Sequence, residues 1–151
     1  MHQIFEITRT SRKVLSQFLQ QYSIEQLNKI PDGYNNNVIW NIGHIVVVQQ
    51  MLVYKLSGLP MVVSDEFVEK YKKGTRPEAT ILQPEIDALQ SLLFDTINQT
   101  KADFNSGVFR TYQEFTSMSG FTMKNVEDAM AFNYYHEGVH TGMMMGIRKF
   151  I

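Results

Sequence analysis

The chain of 151 residues contains no cysteine. That absence excludes disulfide frameworks, thiolate nucleophiles and cysteine-held zinc. Only four prolines occur, and no low-complexity tract or internal repeat interrupts the sequence, so most of it is expected to be ordered. Neither sign of charge dominates: 14 lysines and arginines stand against 15 aspartates and glutamates, for a net charge of −1. With the basic residues scattered, there is no electrostatic footprint for nucleic acid or an anionic membrane. Long hydrophobic runs are missing too. The longest, Val38 to Val48, is broken by Asn41 and His44 and is too short and polar to span a bilayer. The opening segment MHQIFEITRTSRKV lacks the apolar core and small-residue cleavage site of a secretion signal, so a cytoplasmic protein is expected.

What is present suits one domain over residues 1–151, with 44% hydrophobic residues to fill a core. The periodicity is helical almost throughout. A first long helix is expected from about Gln3 to Gln20, with Ile4, Ile7, Val14, Leu15 and Phe18 turned inward. Ser23 and Gln26 have capping-box spacing for a short helix that Pro31 ends. A second long helix starts near Asn36 or Asn37 and runs to Ser57, stopped by Gly58 and Pro60. Residues 58–83 form the longest connection, carrying a small helix capped by Ser64 and closed by Gly74. Pro84 suits the first turn of a third long helix reaching about Phe104. Residues 108–116 are extended in character but show no partner strand, so no sheet is expected. Asn125 caps a last helix from about Val126 to Lys149. Four long helices predict an all-α four-helix bundle, and the long links before and after the third predict a crossover.

The segment NYYHEGVH, Asn133 to His140, has the form H-E-x-x-H. Residues four apart share one helix face, so His136 and His140 can reach a single divalent ion at about 2.0–2.1 Å. His44 lies in the middle of VIWNIGHIVVV, where an unpaired imidazole would bury two nitrogens among aliphatic side chains. If the second and fourth helices face each other, the three histidines form a facial set that leaves room for water or substrate. A zincin protease is not expected: TGMMMGIRKFI after His140 holds neither histidine nor carboxylate, and no run of strands precedes it. Glu137 is a candidate catalytic base beside a metal-bound water, the simpler alternative being a solvated glutamate. Trp40 and Phe132, one turn before His44 and His136, are candidate pocket walls. Asn41 and Asn133 are placed to orient a ring. Gly138, Gly142 and Gly146 recur every four residues. Each costs about 1 kcal/mol relative to alanine, so a close helix contact along that stripe, within the chain or with a second subunit, is expected.

At these residues the chain resembles the DinB-like (DinB/YfiT) superfamily of four-helix metalloproteins. The resemblance rests on NNNVIWNIGHIVVVQQMLVYKLSG and FNYYHEGVHTGMMMGIRK, with a histidine after a tryptophan in the second long helix and H-x-x-x-H-x-G in the last. It implies a bundle with a long crossover, often a homodimer, binding zinc or nickel through His44, His136 and His140. It also implies a small-molecule substrate, with thiol-dependent transferases, an isomerase and metal-dependent hydrolases among the relatives. The expected function is therefore a metal-dependent enzyme that activates a thiol or water, as an S-transferase, isomerase or hydrolase. The alternative is a non-catalytic metal-binding or stress-response protein.

Overall fold

The computed structural model describes residues 1–151. Six helices and one short hairpin follow in the order α1 (His2–Gln21), α2 (Ile24–Asn28), α3 (Val38–Val53), α4 (Asp65–Tyr71), α5 (Gln83–Ser106), β1 (Phe115–Thr116), β2 (Thr122–Met123) and α6 (Val126–Ile147). A 3-10 turn, Lys55–Ser57, extends α3. The start signals act as their chemistry dictates. Ser23 and Gln26 close a reciprocal capping box on α2, and Asn37, Ser64 and Asn125 each accept a backbone N–H at the start of α3, α4 and α6. No helix is long and apolar enough to cross a membrane.

The four long helices α1, α3, α5 and α6 form an all-α bundle, as expected. α1 packs on α5 and α6, and α3 packs on the same two, so α1/α3 and α5/α6 lie across the diagonals. The links from α1 to α3 and from α5 to α6 therefore cross the bundle, whereas the longest link, from α3 to α5, joins neighbours. α3 is apolar on nearly every side and is the most enclosed helix, as a helix without a polar face must be.

Two apolar clusters fill the interior. One gathers Leu15, Val47, Leu93 and Met144; the other gathers Phe5, Leu52, Ile97 and Met130. Along the helices, buried polar residues fall between the members of these clusters: Thr8 and Arg12 on α1, Gln49 and Gln50 on α3, Thr96 on α5, Asn133, Glu137 and His140 on α6. The bundle thus has a polar layer at mid-height. Its members are largely paired: Gln49 Nε2 donates to Thr100 Oγ1 at 2.8 Å and Gln50 Nε2 to Gln49 Oε1 at 2.7 Å.

Three expectations are corrected. Ile7 is 41% exposed, because the inward stripe of α1 runs through Phe5, Thr8, Arg12, Leu15 and Leu19 instead. The segment after α5 does find a partner: Phe115 pairs with Met123 and Thr116 with Thr122 in an antiparallel hairpin. The glycine stripe makes no helix contact within the chain. Nothing would meet a side chain at Gly138 or Gly142, and at Gly146 the neighbour is the Tyr34 hydroxyl from the loop before α3. The glycine that packing does require is Gly43, where an added methyl would stand 2.5 Å from the Tyr71 ring. Gly43→Ala is accordingly expected to cost about 1–3 kcal/mol by overpacking. Gly142→Ala should instead stabilise by up to about 1 kcal/mol. Thermal unfolding of the two variants checks this; the opposite order would show that the α3–α4 contact is loose.

Candidate metal centre

His44 projects from α3, and His136 and His140 from successive turns of α6, at the contact of these two helices. Their candidate ligand nitrogens all lie within 4.8 Å of one another. Ring centroids are 5.2 Å apart for His44 and His136, 4.8 Å for His44 and His140, and 4.5 Å for His136 and His140. The three histidines singled out in the sequence, two by spacing and His44 by its apolar surroundings, are therefore brought together.

The second nitrogens of two rings are fixed. His44 Nδ1 lies 2.7 Å from the Tyr71 carbonyl, which can only accept, so that nitrogen carries the proton and Nε2 is left with its lone pair. His140 Nδ1 lies 2.7 Å from Asn41 Oδ1. The Asn41 amide cannot be turned the other way, since its Nδ2 already donates to Asn36 Oδ1 and to the Asn37 carbonyl. In both rings Nδ1 is thus engaged and Nε2 is the nitrogen left free to ligate. His136 Nδ1 is buried with no hydrogen-bond partner. One nitrogen from each of the three rings lies within 4.8 Å of the others, and no carboxylate or cation stands among them, so the donor set fits a divalent cation held by neutral imidazole.

Electrostatics agree. Burial pushes the His136 pKa down to about 3, helped by the neighbouring charges of His140 and His44. Burial, then His44, pushes His140 down to about 4. His44 is also lowered, chiefly by burial, with the Tyr71 carbonyl opposing and Lys73 assisting. All three rings are neutral at pH 7 and ready to ligate. The sign of the consequence is fixed. Above pH 6.5 neither folded nor unfolded chain protonates these rings; below it, the unfolded chain takes up protons that the folded chain refuses. The metal-free protein is expected to lose stability from pH 6.5 down toward pH 3–4, by up to about 1.4 kcal/mol per pH unit for each ring. Urea midpoints of chelated protein at pH 7 and pH 5 test this, and equal midpoints would contradict it.

The other predicted residues divide. Trp40 stacks on His44 at 4.6 Å between centroids and an interplanar angle of 11°, with its Nε1 donating to Thr75 Oγ1. Phe132 lies over His136 at 6.3 Å and 26°. Asn41 orients a ring, that of His140 across the helix contact. Asn133 does not reach a histidine: its Nδ2 donates to Glu137 Oε1 at 2.9 Å. Glu137 is fully buried, not solvated, and is not among the atoms gathered with the three rings. Its Oε1 also accepts from Arg12 Nε at 3.0 Å and Nη2 at 2.7 Å, while Oε2 has no partner. Both side chains of this ion pair are 0% exposed.

Sequence reasoning missed Arg12 and the Tyr71 carbonyl. A signal for Arg12 existed, a charge on the inward stripe of α1; a backbone acceptor has no residue-type signature. A recess of about 360 Å³ on the far side of Trp40 is lined by Trp40, Tyr71, Lys70 and Arg76 among others, but by none of the histidines. His44 and His140 are buried, and His136 is the ring partly open to solvent.

The comparisons with known proteins follow the same line. The crystal structure of "the conserved protein of locus from Enterococcus faecalis" superimposes with a TM-score of 0.67 over 99% of this chain and 95% of that one, at 13% identity, which establishes likeness of fold. No curated protein matches the sequence. The profile of the DinB superfamily matches residues 7–144, a span that includes all three histidines and Arg12. The chain belongs to the DinB superfamily.

Proposed function

We propose that the protein is a metal-dependent enzyme acting on a small molecule, with zinc or nickel at His44, His136 and His140. One observation carries this reading: three neutral imidazoles from two helices converge, and the His136 side chain is partly open to solvent. A divalent ion held there lowers the pKa of a thiol or water, supplying a nucleophile at neutral pH. The chain's own contribution is to fix ring orientation through Asn41 and Tyr71 and to keep the rings neutral by burial. Thiol transfer or isomerisation is the favoured branch, because the Glu137 carboxylate faces Arg12 on α1 and a hydrolase would want it as a base. The burial of His44 and His140 favours the rival, a non-catalytic metal-binding or stress-response protein in a cytoplasmic setting.

The test is a screen of the metal-loaded protein against esters, amides and thiol-plus-electrophile pairs, with and without chelation. Turnover that chelation abolishes supports the enzyme; a fully loaded protein inert to every class favours the rival. Glu137→Gln is expected to lower stability yet leave the rate per metal-loaded molecule nearly unchanged. A fall of about 10²–10⁴-fold at unchanged metal content would make Glu137 the base.

We also propose a homodimer across the outer face of α6, where Val139 and Met143 flank the open glycines Gly138 and Gly142. Gly142→Leu should, like Gly142→Ala, leave the monomer at least as stable as the wild type, and should halve the sedimentation mass; a wild-type protein that sediments as a monomer would remove the dimer.

A further inference from the structure

The hairpin that sequence periodicity left unpartnered lies at the open side of the metal centre. Its Phe121 packs against Phe132 and Tyr135 of α6, at 5.4 Å and 5.2 Å between centroids, and Phe132 in turn covers His136. Its tip residue Met118 touches the Lys73 ammonium, two residues past the Tyr71 whose carbonyl holds His44. The hairpin therefore bridges from the His136 side of the centre to the His44 side. It is built to hold that position: Met123 is anchored in the core, and the loop is closed by Ser117 N–H donating to the Phe121 carbonyl at 2.8 Å, with Gly120 at φ 87°.

Two features of this bridge are unexplained by folding. Phe121 and Tyr135 remain 47% and 49% exposed although they sit on a common aromatic face, so the face has room for another apolar group. Lys73 forms no salt bridge, whereas Lys70 and Lys72 beside it both do, and its nearest polar contact is a thioether. An unpaired cation at one end of the bridge and an aromatic face at the other complement a small molecule carrying an anionic group and an apolar body.

Resting on the metal-site reading above, we propose that the hairpin and its anchor residues recognise the substrate as a small organic anion. Phe121, Phe132 and Tyr135 receive its apolar body, Lys73 its anionic group, and the reacting atom lies at the three histidines.

The probes are α-benzyl-β-mercaptopropanoate, its α-methyl counterpart, and the carboxamide of each, titrated into the cobalt-loaded full chain. Binding is followed by the thiolate-to-cobalt charge-transfer band, which reports occupancy without turnover. The benzyl acid is expected to bind about tenfold or more tightly than the methyl acid. Phe121→Ala should reduce that preference to roughly threefold or less with the methyl acid unaffected, and Phe121→Leu should keep part of it. Lys73→Gln should weaken both acids about tenfold and leave both amides unchanged. Equal affinities for benzyl and methyl acids, or a preference that survives Phe121→Ala, overturns the aromatic assignment; acids and amides that respond alike to Lys73→Gln overturn the cationic one. Helicity and cobalt content of each variant are measured alongside, since both substitutions are at exposed positions outside the ligand set. A native protein that takes up no cobalt sinks the metal-site reading itself, a failure distinct from the loss of probe selectivity on a loaded protein.

Discussion

Replacing Arg12 by alanine is expected to destabilise the protein by about 3–5 kcal/mol, the largest effect of any single substitution considered. The reason is the state it leaves behind. Arg12 donates twice to Glu137 Oε1 in a fully buried pair, and its Nη1 also reaches the Leu93 carbonyl at 3.4 Å, so one side chain ties α1 to α6 and α5. Without it, the Glu137 carboxylate keeps only the Asn133 amide and remains buried as a charge. The loss measures an uncompensated charge, not the net worth of the pair, and a second variant separates the two. Arg12→Met with Glu137→Met removes both charges and keeps much of the volume, so most of the stability should return. Urea unfolding of the single and double variants decides it: a loss below about 1 kcal/mol for Arg12→Ala would mean that water reaches the pair.

His44→Ala, His136→Ala and His140→Ala should each abolish most metal binding while leaving the helical content intact. Each removes one of three ligands, and none of the rings holds the helices together through hydrogen bonds to more than one partner. The loss should exceed the roughly 10–100-fold that removal of an outer partner costs. Asn41→Ala supplies that smaller comparison, since it frees the His140 ring without deleting it. Plasma mass spectrometry on protein dialysed against a trace of zinc or nickel gives the ratio. Wild-type metal content in His44→Ala would take α3 out of the site and leave only the pair on α6. Asn41→Ala as damaging as His140→Ala would mean that ring orientation, not ligand number, controls affinity.

Much of the molecule could be seen in its amino acids because the signals are local. Helical periodicity, the capping residues Ser23, Asn37, Ser64 and Asn125, and the glycine and proline stops each act within a few residues, so helix existence and most ends follow from them. The four-residue spacing of His136 and His140 is likewise a property of one helix turn. His44 joined them by an argument from discomfort, a titratable ring among aliphatic neighbours; the structure brings it beside the other two rings and satisfies one of its nitrogens through the Tyr71 carbonyl, a partner the sequence did not suggest. Ile7 shows the limit of the same method. An isoleucine and an arginine lie near one another on α1, and periodicity alone assigns the apolar one inward; the structure turns Arg12 in because a carboxylate 125 residues away compensates it.

The amino-acid order by itself thus determined the helices, the three histidines that come together and the family, since each rests on short-range spacing or on residue chemistry. Only the tertiary structure decided which links cross the bundle, that Glu137 belongs to Arg12 and not to solvent, and that a hairpin packs against the aromatic rings beside His136. These depend on contacts between distant segments. Pairing of two residues in β1 with two in β2 is too short to leave an alternating pattern. The Tyr71 carbonyl that fixes His44 is a backbone atom that every residue type carries. The buried charge is tolerable only because its partner arrives from another helix, and no local pattern encodes that arrival.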